Sequence, residues 1–322
     1  MKEGDQRRRH RDERRATAQR TTRSRTAPFV RDGIPASTVH LPIGGWATVL
    51  DALCARFPNI ERARWLDRIA RGAVLDVAGR PFAVDATYTA GLRVHYFREV
   101  VAEPPIPFAE TIVYADASLV VVDKPHFLPV VPGGERVRET LLTRLIARFD
   151  NPHLVPLHRI DRATAGLVMF SADPATRAAY HALFGKRQIV KRYDASAPPL
   201  PEQRFPLLRR SRIEGASDFF RMCETAGAAN SETTIAVVAT EPNRWHYALA
   251  PVTGRRHQLR VHMAALGAPL ENDPWYPALQ PAAPDDPTRP LRLVARSLEF
   301  TDPLDGSRRR FDSARSLSGP AT

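Results

Sequence analysis

The stretch PLHRIDRATAGLVMF, residues 156–170, runs from a polar loop carrying Asp161 into the apolar strand LVMFSA. Its neighbours on both sides are strands and short helices without a β-α-β alternation. Upstream, TIVYAD and SLVVVDK are β-branched runs on either side of Asp116-Ala117, which predicts a hairpin. A helix is expected over about 138–149, where Leu141, Leu142, Leu145, Ile146 and Phe149 share one face. Downstream, Asp173-Pro174 opens a helix as cap and first helical residue, ending near Gly185. Strands follow at about 189–196, 233–240, 245–250 and 291–300, and one more helix at about 255–266 stops at Gly267. Strands outnumber helices and hairpins join several of them. The class is therefore α+β, and a doubly wound nucleotide-binding fold is disfavoured. Residues 272–290 carry six prolines and read as a long loop.

The chain has 322 residues, with Lys+Arg 47 against Asp+Glu 35 for a net charge of +12. That length predicts roughly two domains. No run of 18 apolar residues is present, so no membrane span is expected, nor does the first segment have the apolar stretch of a secretory signal. Cys54 and Cys223 stand far apart without CxxC spacing, which argues against a disulfide scaffold or a cysteine zinc site and for a reducing cytoplasm. Residues 1–26 hold ten basic and four acidic side chains, half of the net charge. Arm and body are both basic, and such a balance suits a polyanion such as nucleic acid.

Three regions are expected. Residues 1–30 form a basic, disordered arm; an Arg-rich transit peptide is the competing reading, opposed by Glu3, Asp5, Asp12 and Glu13. Residues 31–103 form a small α/β unit of two helices and a hairpin turning at Gly79-Arg80. Arg62, Arg64, Arg68 and Arg71 line its second helix, as phosphate contacts or as a solvated face. The Pro104-Pro105-Ile106-Pro107 run serves as a semi-rigid linker, and 104–322 form the larger domain.

Signatures for nucleotides, zinc hydrolysis, deamination and acyl transfer are absent. His257 and His262 are five apart, about 140° around a helix, which does not suit a shared metal. Three segments concentrate polar groups among apolar ones: the Asp161 loop, IVKRYDAS with Tyr193 on a strand, and VTGRRHQLRVHM at a helix start. Each alone has a bland reading, as an ion pair, a core tyrosine or a solvated arginine cluster.

Together they resemble one family. HRIDRATAG is similar to the HRLDxxTSG motif of the RluA-type RNA pseudouridine synthases, and VVDKPHFLPVVPGG resembles the strand and DKP turn ahead of it. KRY at 191–193 and GRRHQLRVH at 254–262 match the family's KxY and GRxHQLRxH motifs in order and spacing. The resemblance covers about 108–315. It departs at Ile160, at Ala165, and at Asn272-Asp273-Pro274, where a GD pair is common. Residues 40–103 are reminiscent, more weakly, of the ribosomal-protein-like RNA-binding domain that precedes many such enzymes.

The resemblance implies a pseudouridine synthase fold with a mixed, largely antiparallel sheet, and an isomerase needing no cofactor or metal. Asp161 would be the catalytic carboxylate, Arg260 its cationic partner, and Tyr193 the ring that stacks on uracil and relays a proton. Arg159 would fill the gap left by a flipped base. Lys124, Lys191, Arg192, Arg255 and Arg256 would hold phosphates. The expected partner is structured RNA, ribosomal before transfer RNA, acted on by a cytoplasmic monomer. Two other classes compete: a non-catalytic RNA-binding or ribosome-assembly factor on the same fold, and a glycosidic hydrolase using Asp161. The second lacks a flanking second carboxylate.

Overall fold

The computed structural model describes residues 29–99, 103–134, 136–218, 220–281 and 283–317. All but the last two residues of the expected basic arm lie outside them. The chain divides into two compact units, Met1–Arg98 and Glu99–Thr322.

In the first unit, β1 (Val30–Arg31) and β2 (Ile34–Pro35) form a small ribbon. Next come β3 (Ser37–His40), α1 (Val49–Arg56), α2 (Arg62–Ala70), β4 (Val74–Leu75) and β5 (Arg93–Tyr96), with sheet order β3-β5-β4. Thr48 caps α1 by accepting the Asp51 N–H at 3.1 Å. Leu50 and Leu53 of α1 and Trp65 and Ile69 of α2 bury against Val39, Val94 and Tyr96. The turn at Gly79 forms, with Asp76 Oδ1 accepting from Ala78 N and Arg80 N at 2.8 and 2.9 Å. The expected hairpin extends a short way from it: Leu75 bridges Pro81, and Asp76 N donates to Arg80 O and Phe82 N to Val74 O, each at 2.9 Å, while the other edge of β4 pairs with β5. Three of the four arginines expected along α2 are committed elsewhere; Arg71, just past its C-terminal end, donates to Asp67 at 3.0 Å. Arg62 binds Asp51 at 2.7 Å, and Arg68 lies buried over the Trp65 ring, 4.5 Å from its centroid.

Among its described residues, the second unit is built on eleven strands. They are β6 (Thr111–Ala115), β7 (Leu119–Lys124), β8 (Val155–Pro156), β9 (Ala165–Ser171), β10 (Val190–Ala197), β11 (Leu207–Gly215), β12 (Met222–Thr225), β13 (Ser231–Thr240), β14 (Trp245–Pro251), β15 (Leu293–Thr301) and β16 (Arg308–Asp312). The main order is β12-β11-β13-β14-β10-β15-β9-β7-β6, with β16 on β15 and β8 on β9. Helices α3 (Leu141–Phe149), α4 (Arg177–Gly185) and α5 (Gln258–Ala265) complete it. β7 and β9 are buried along their whole lengths, as befits central strands covered on both faces.

All pairs are antiparallel except β15 with β9, which align for only two residue pairs, Val294 with Ala165 and Ala295 with Gly166. This short parallel seam joins two antiparallel halves. Gly166 stands there with φ +109°, where a Cβ would fall 2.3 Å from the Ala295 carbonyl oxygen and 2.6 Å from its nitrogen. No side chain fits.

The differences from the sequence reading have local causes. Helix α4 starts at Arg177, because the Asp173 carboxylate accepts the Ala175 N–H at 2.8 Å and holds 173–176 as a turn. Strand β11 holds Arg209, Arg210, Arg212 and Glu214, and β12 is only four residues long, so neither carries an apolar run. They are held by cross-strand pairs, Arg209 with Glu224 and, to β13, Arg210 with Glu232. The proline segment 103–108 is fastened to the second unit. The Glu103 carboxylate accepts three backbone N–H groups at 137–139, and Arg144 donates to the carbonyls of Ile106 and Phe108. Among the described residues, no helix is long and apolar enough to cross a membrane.

Candidate active site

The seam positions the site. Tyr193 on β10 pairs with Ala295, which pairs in turn with Gly166 on β9, so one row crosses three strands. The loop entering β9 carries Asp161. Beneath this loop, Lys124 is fully buried and its ammonium donates to the carbonyls of Pro125, Leu128 and Arg162 at 2.9, 2.8 and 3.2 Å. All three of its donors are spent on backbone. Burial holds its pKa well below the usual lysine value. The expectation that Lys124 contacts phosphate is therefore corrected: it is a pin that fixes the Asp161 loop. His158 serves the same end, its Nε2 accepting the Met169 N–H at 3.1 Å while its ring stacks on Phe184.

The start of α5 is equally determined. His257 enters it with φ +55°. Gln258 is buried and bridges strands and loop: its Oε1 accepts from Thr253 Oγ1 and Arg255 N, and its Nε2 donates to Glu232 O and Thr233 Oγ1. His262 anchors the far side through Thr233, Ser211 and Ser231, each at 2.9–3.0 Å. Its partners are structural, and it stands apart from His257, as the helical spacing requires.

Between these anchors, Arg260 Nη1 donates to Asp161 Oδ2 at 2.9 Å. The other edge of the guanidinium binds Asp273 through two bonds, Nε to Oδ2 at 2.8 Å and Nη2 to Oδ1 at 2.6 Å. Trp275 and Tyr276 present their rings to it, with centroids at 5.0 and 5.1 Å. Burial opposes the Arg260 charge, but the Asp273 hydrogen bonds and the Asp161 carboxylate outweigh it and raise the pKa. Asp161 is the partly open member, with a side-chain exposure of 27% against 3% for Arg260 and 0% for Asp273. Its Oδ1 faces His257 Nε2 across 3.8 Å.

Asp161, Tyr193 and Arg260 line one cleft of about 910 Å³, along with Arg159, Lys191, Arg255, Arg256 and Trp275. Burial first, and the negative Asp161 second, raise the Tyr193 pKa, so its phenol keeps its proton at neutral pH. Lys191 donates to Thr253 O at 3.2 Å, Arg255 to Asn230 O at 3.2 Å and Arg256 to Phe220 O at 2.6 Å. These acceptors are carbonyls, so the three charges are not neutralised by them. Arg192 alternates with Lys191 and Tyr193 along β10, is exposed, and lies outside the cleft wall.

Sequence reading missed Asp273, Trp275 and Tyr276 as site residues, although it marked Asn272-Asp273-Pro274 as unusual. A carboxylate followed by two aromatics in a proline-rich loop was the available signal.

Three buried histidines and the half-buried His158 make one testable demand. Burial is the leading cause that lowers His126, His257 and His262 from 6.5 to about 4 and His158 to about 3. Between pH 6.5 and 4 the unfolded chain binds more protons than the folded one, so stability falls as pH falls through this window. Each histidine can contribute up to about 1.4 kcal/mol per pH unit there. The urea midpoint is expected to be clearly lower at pH 5.0 than at pH 7.5; equal midpoints would show that these rings titrate normally.

Comparison with known proteins agrees with this geometry. Residues 118–265 match the family described as RNA pseudouridylate synthase. An uncharacterized RNA pseudouridine synthase of Synechocystis is 31% identical over 240 residues, 71% of this chain and 79% of that protein. The dual-specificity RNA pseudouridine synthase RluA of Escherichia coli is 32% identical over 215 residues, 62% of this chain and 90% of that protein. Among solved structures, the human RNA pseudouridylate synthase domain containing 1 aligns with a TM-score of 0.51 and 25% identity. That alignment covers 66% of this chain and 86% of that one.

Proposed function

The chain belongs to the RluA-type RNA pseudouridine synthases and is an isomerase of uridine in RNA; from this premise we propose that Asp161 is its working carboxylate and folded ribosomal RNA its substrate. In the reaction the bond between uracil N1 and ribose C1′ breaks, the base turns, and C5 bonds to C1′. The C5 proton leaves and N1 gains one, so no electrons are gained or lost. The observation that carries the assignment is the Arg260–Asp161 hydrogen bond at the cleft, with Tyr193 on the same wall. Arg260 places the carboxylate, and Tyr193 offers a flat, protonated ring against which a uracil can lie.

A base inside folded RNA reaches this cleft only when turned out of its stack. Exposed Arg159, on the cleft wall two residues before Asp161, is placed to occupy the space the base vacates. Lys191, Arg255 and Arg256 keep their charge for phosphates. Asp161, Tyr193 and Arg260 all come from one chain, so a monomer suffices. The Escherichia coli relative is called dual-specificity; for this chain the small unit within 31–103 and the basic arm at 1–30 favour ribosomal RNA, where such modules add contacts away from the target. The test is a pseudouridine map of total RNA from cells with and without the gene. Loss of a modified uridine in ribosomal RNA is expected, and loss confined to transfer RNA would reverse the choice of substrate.

A further inference from the structure

We propose that Asp273 is a positioning residue, which holds Arg260 by two bonds so that Asp161 receives only one and keeps its Oδ1 for the substrate. The inference rests on Asp161 being the working carboxylate. A guanidinium left alone with one carboxylate favours a bidentate pair, which engages both oxygens. Here that geometry is taken by Asp273, through Nε and Nη2 at 2.8 and 2.6 Å. Only Nη1 is left for Asp161, and it reaches Oδ2 alone. Oδ1 accepts no hydrogen bond from Arg260 and faces His257 Nε2 across 3.8 Å, beyond hydrogen-bond length.

Asp273 is itself held firmly. Its Oδ1 also accepts the N–H groups of Trp275 and Tyr276 at 2.9 and 3.2 Å, and its side chain is completely buried. The same turn brings those two rings onto Arg260. Tyr276 is tethered in turn, its hydroxyl accepting from Met222 N and sharing a hydrogen bond with His257 Nδ1. Arg260 thus has three constraints from one short segment, and Asp161 inherits its orientation without touching that segment.

The experiment compares Asp273→Asn, Arg260→Gln, the double variant and Asp161→Asn in the full chain, on a transcript of the mapped ribosomal RNA region. Asp273→Asn retains an acceptor for the two backbone N–H groups but cannot anchor the fork. Its kcat is expected to fall about 30-fold or more, a misplacement effect, with KM within about threefold. In the double variant the losses should not multiply, and kcat should match that of Arg260→Gln, since both act through one guanidinium. A kcat for Asp273→Asn within threefold of the parent, or multiplying losses, overturns the proposal. Should Asp273→Asn fail to fold, Arg260→Lys gives the answer: an ammonium keeps the charge without the fork. A similar kcat loss at unchanged KM then supports the role, and parental kcat overturns it. Asp161→Asn keeps the outcomes apart, because activity in that variant defeats the reading of Asp161 itself.

Discussion

Replacing Asp161 by Asn should abolish pseudouridine formation, with turnover lower by at least on the order of a thousandfold, while RNA affinity stays within about tenfold of the parent. The amide has the size of the carboxylate, and its oxygen can still accept the Arg260 Nη1 hydrogen bond, so loop and cleft keep their shape. What disappears is the negative charge where the sugar or the base must be met. Binding survives because affinity for structured RNA comes mainly from phosphate contacts, and Lys191, Arg255 and Arg256 are untouched. Nucleoside analysis of digested RNA measures the first quantity and a filter-binding titration the second. Residual turnover within tenfold would remove Asp161 from the chemistry. A large loss of affinity would show that the carboxylate orders the binding surface instead.

The second large effect is on stability. Gly166→Ala should lower the unfolding free energy by about 3 kcal/mol or more. Two costs combine at this position. A φ of +109° is strained for any L side chain, and the new Cβ would overlap the Ala295 backbone, which cannot swing aside as a flexible side chain would. Relief requires β9 and β15 to separate, with loss of the only parallel pairing among the described residues. Gly185→Ala is the matched control, in the last position of α4 with nothing near its would-be Cβ. Its effect should stay under about 1 kcal/mol. Denaturant midpoints of the two variants decide the matter, and similar values for both would mean that the seam yields easily.

Much of this was legible in the chain itself. The apolar periodicity located β7, β9, α3 and β13–β15 to within a few residues, because these elements are buried and their composition says so. Strands β11 and β12 were illegible for the opposite reason: their pairing is carried by arginines and glutamates that read as loop. Asp161, Tyr193 and Arg260 could be named from their motifs, and they share a cleft although they are 32 to 99 residues apart in sequence. Motif and charge could not distinguish a lysine that meets solvent from one whose donors end on carbonyls, as with Lys124. Nor could they reveal Asp273, whose importance arises only when the loop returns to the guanidinium.

The two-residue seam has an implication for how the molecule tolerates motion. Asp161 is borne by one antiparallel half of the sheet, while Tyr193 lies in the other and α5 follows directly from that half's β14. The carboxylate and its arginine therefore sit on opposite sides of a boundary whose strand pairing is two residues long, backed by Leu167 and Met169 against Leu298 and Phe300 and by Ser313 bonded to Asp123. A shift of one half against the other would bear on the 2.9 Å contact between them. Turnover is therefore expected to follow the closure of the two halves, and a substitution that loosens the boundary should lower it before the chain unfolds.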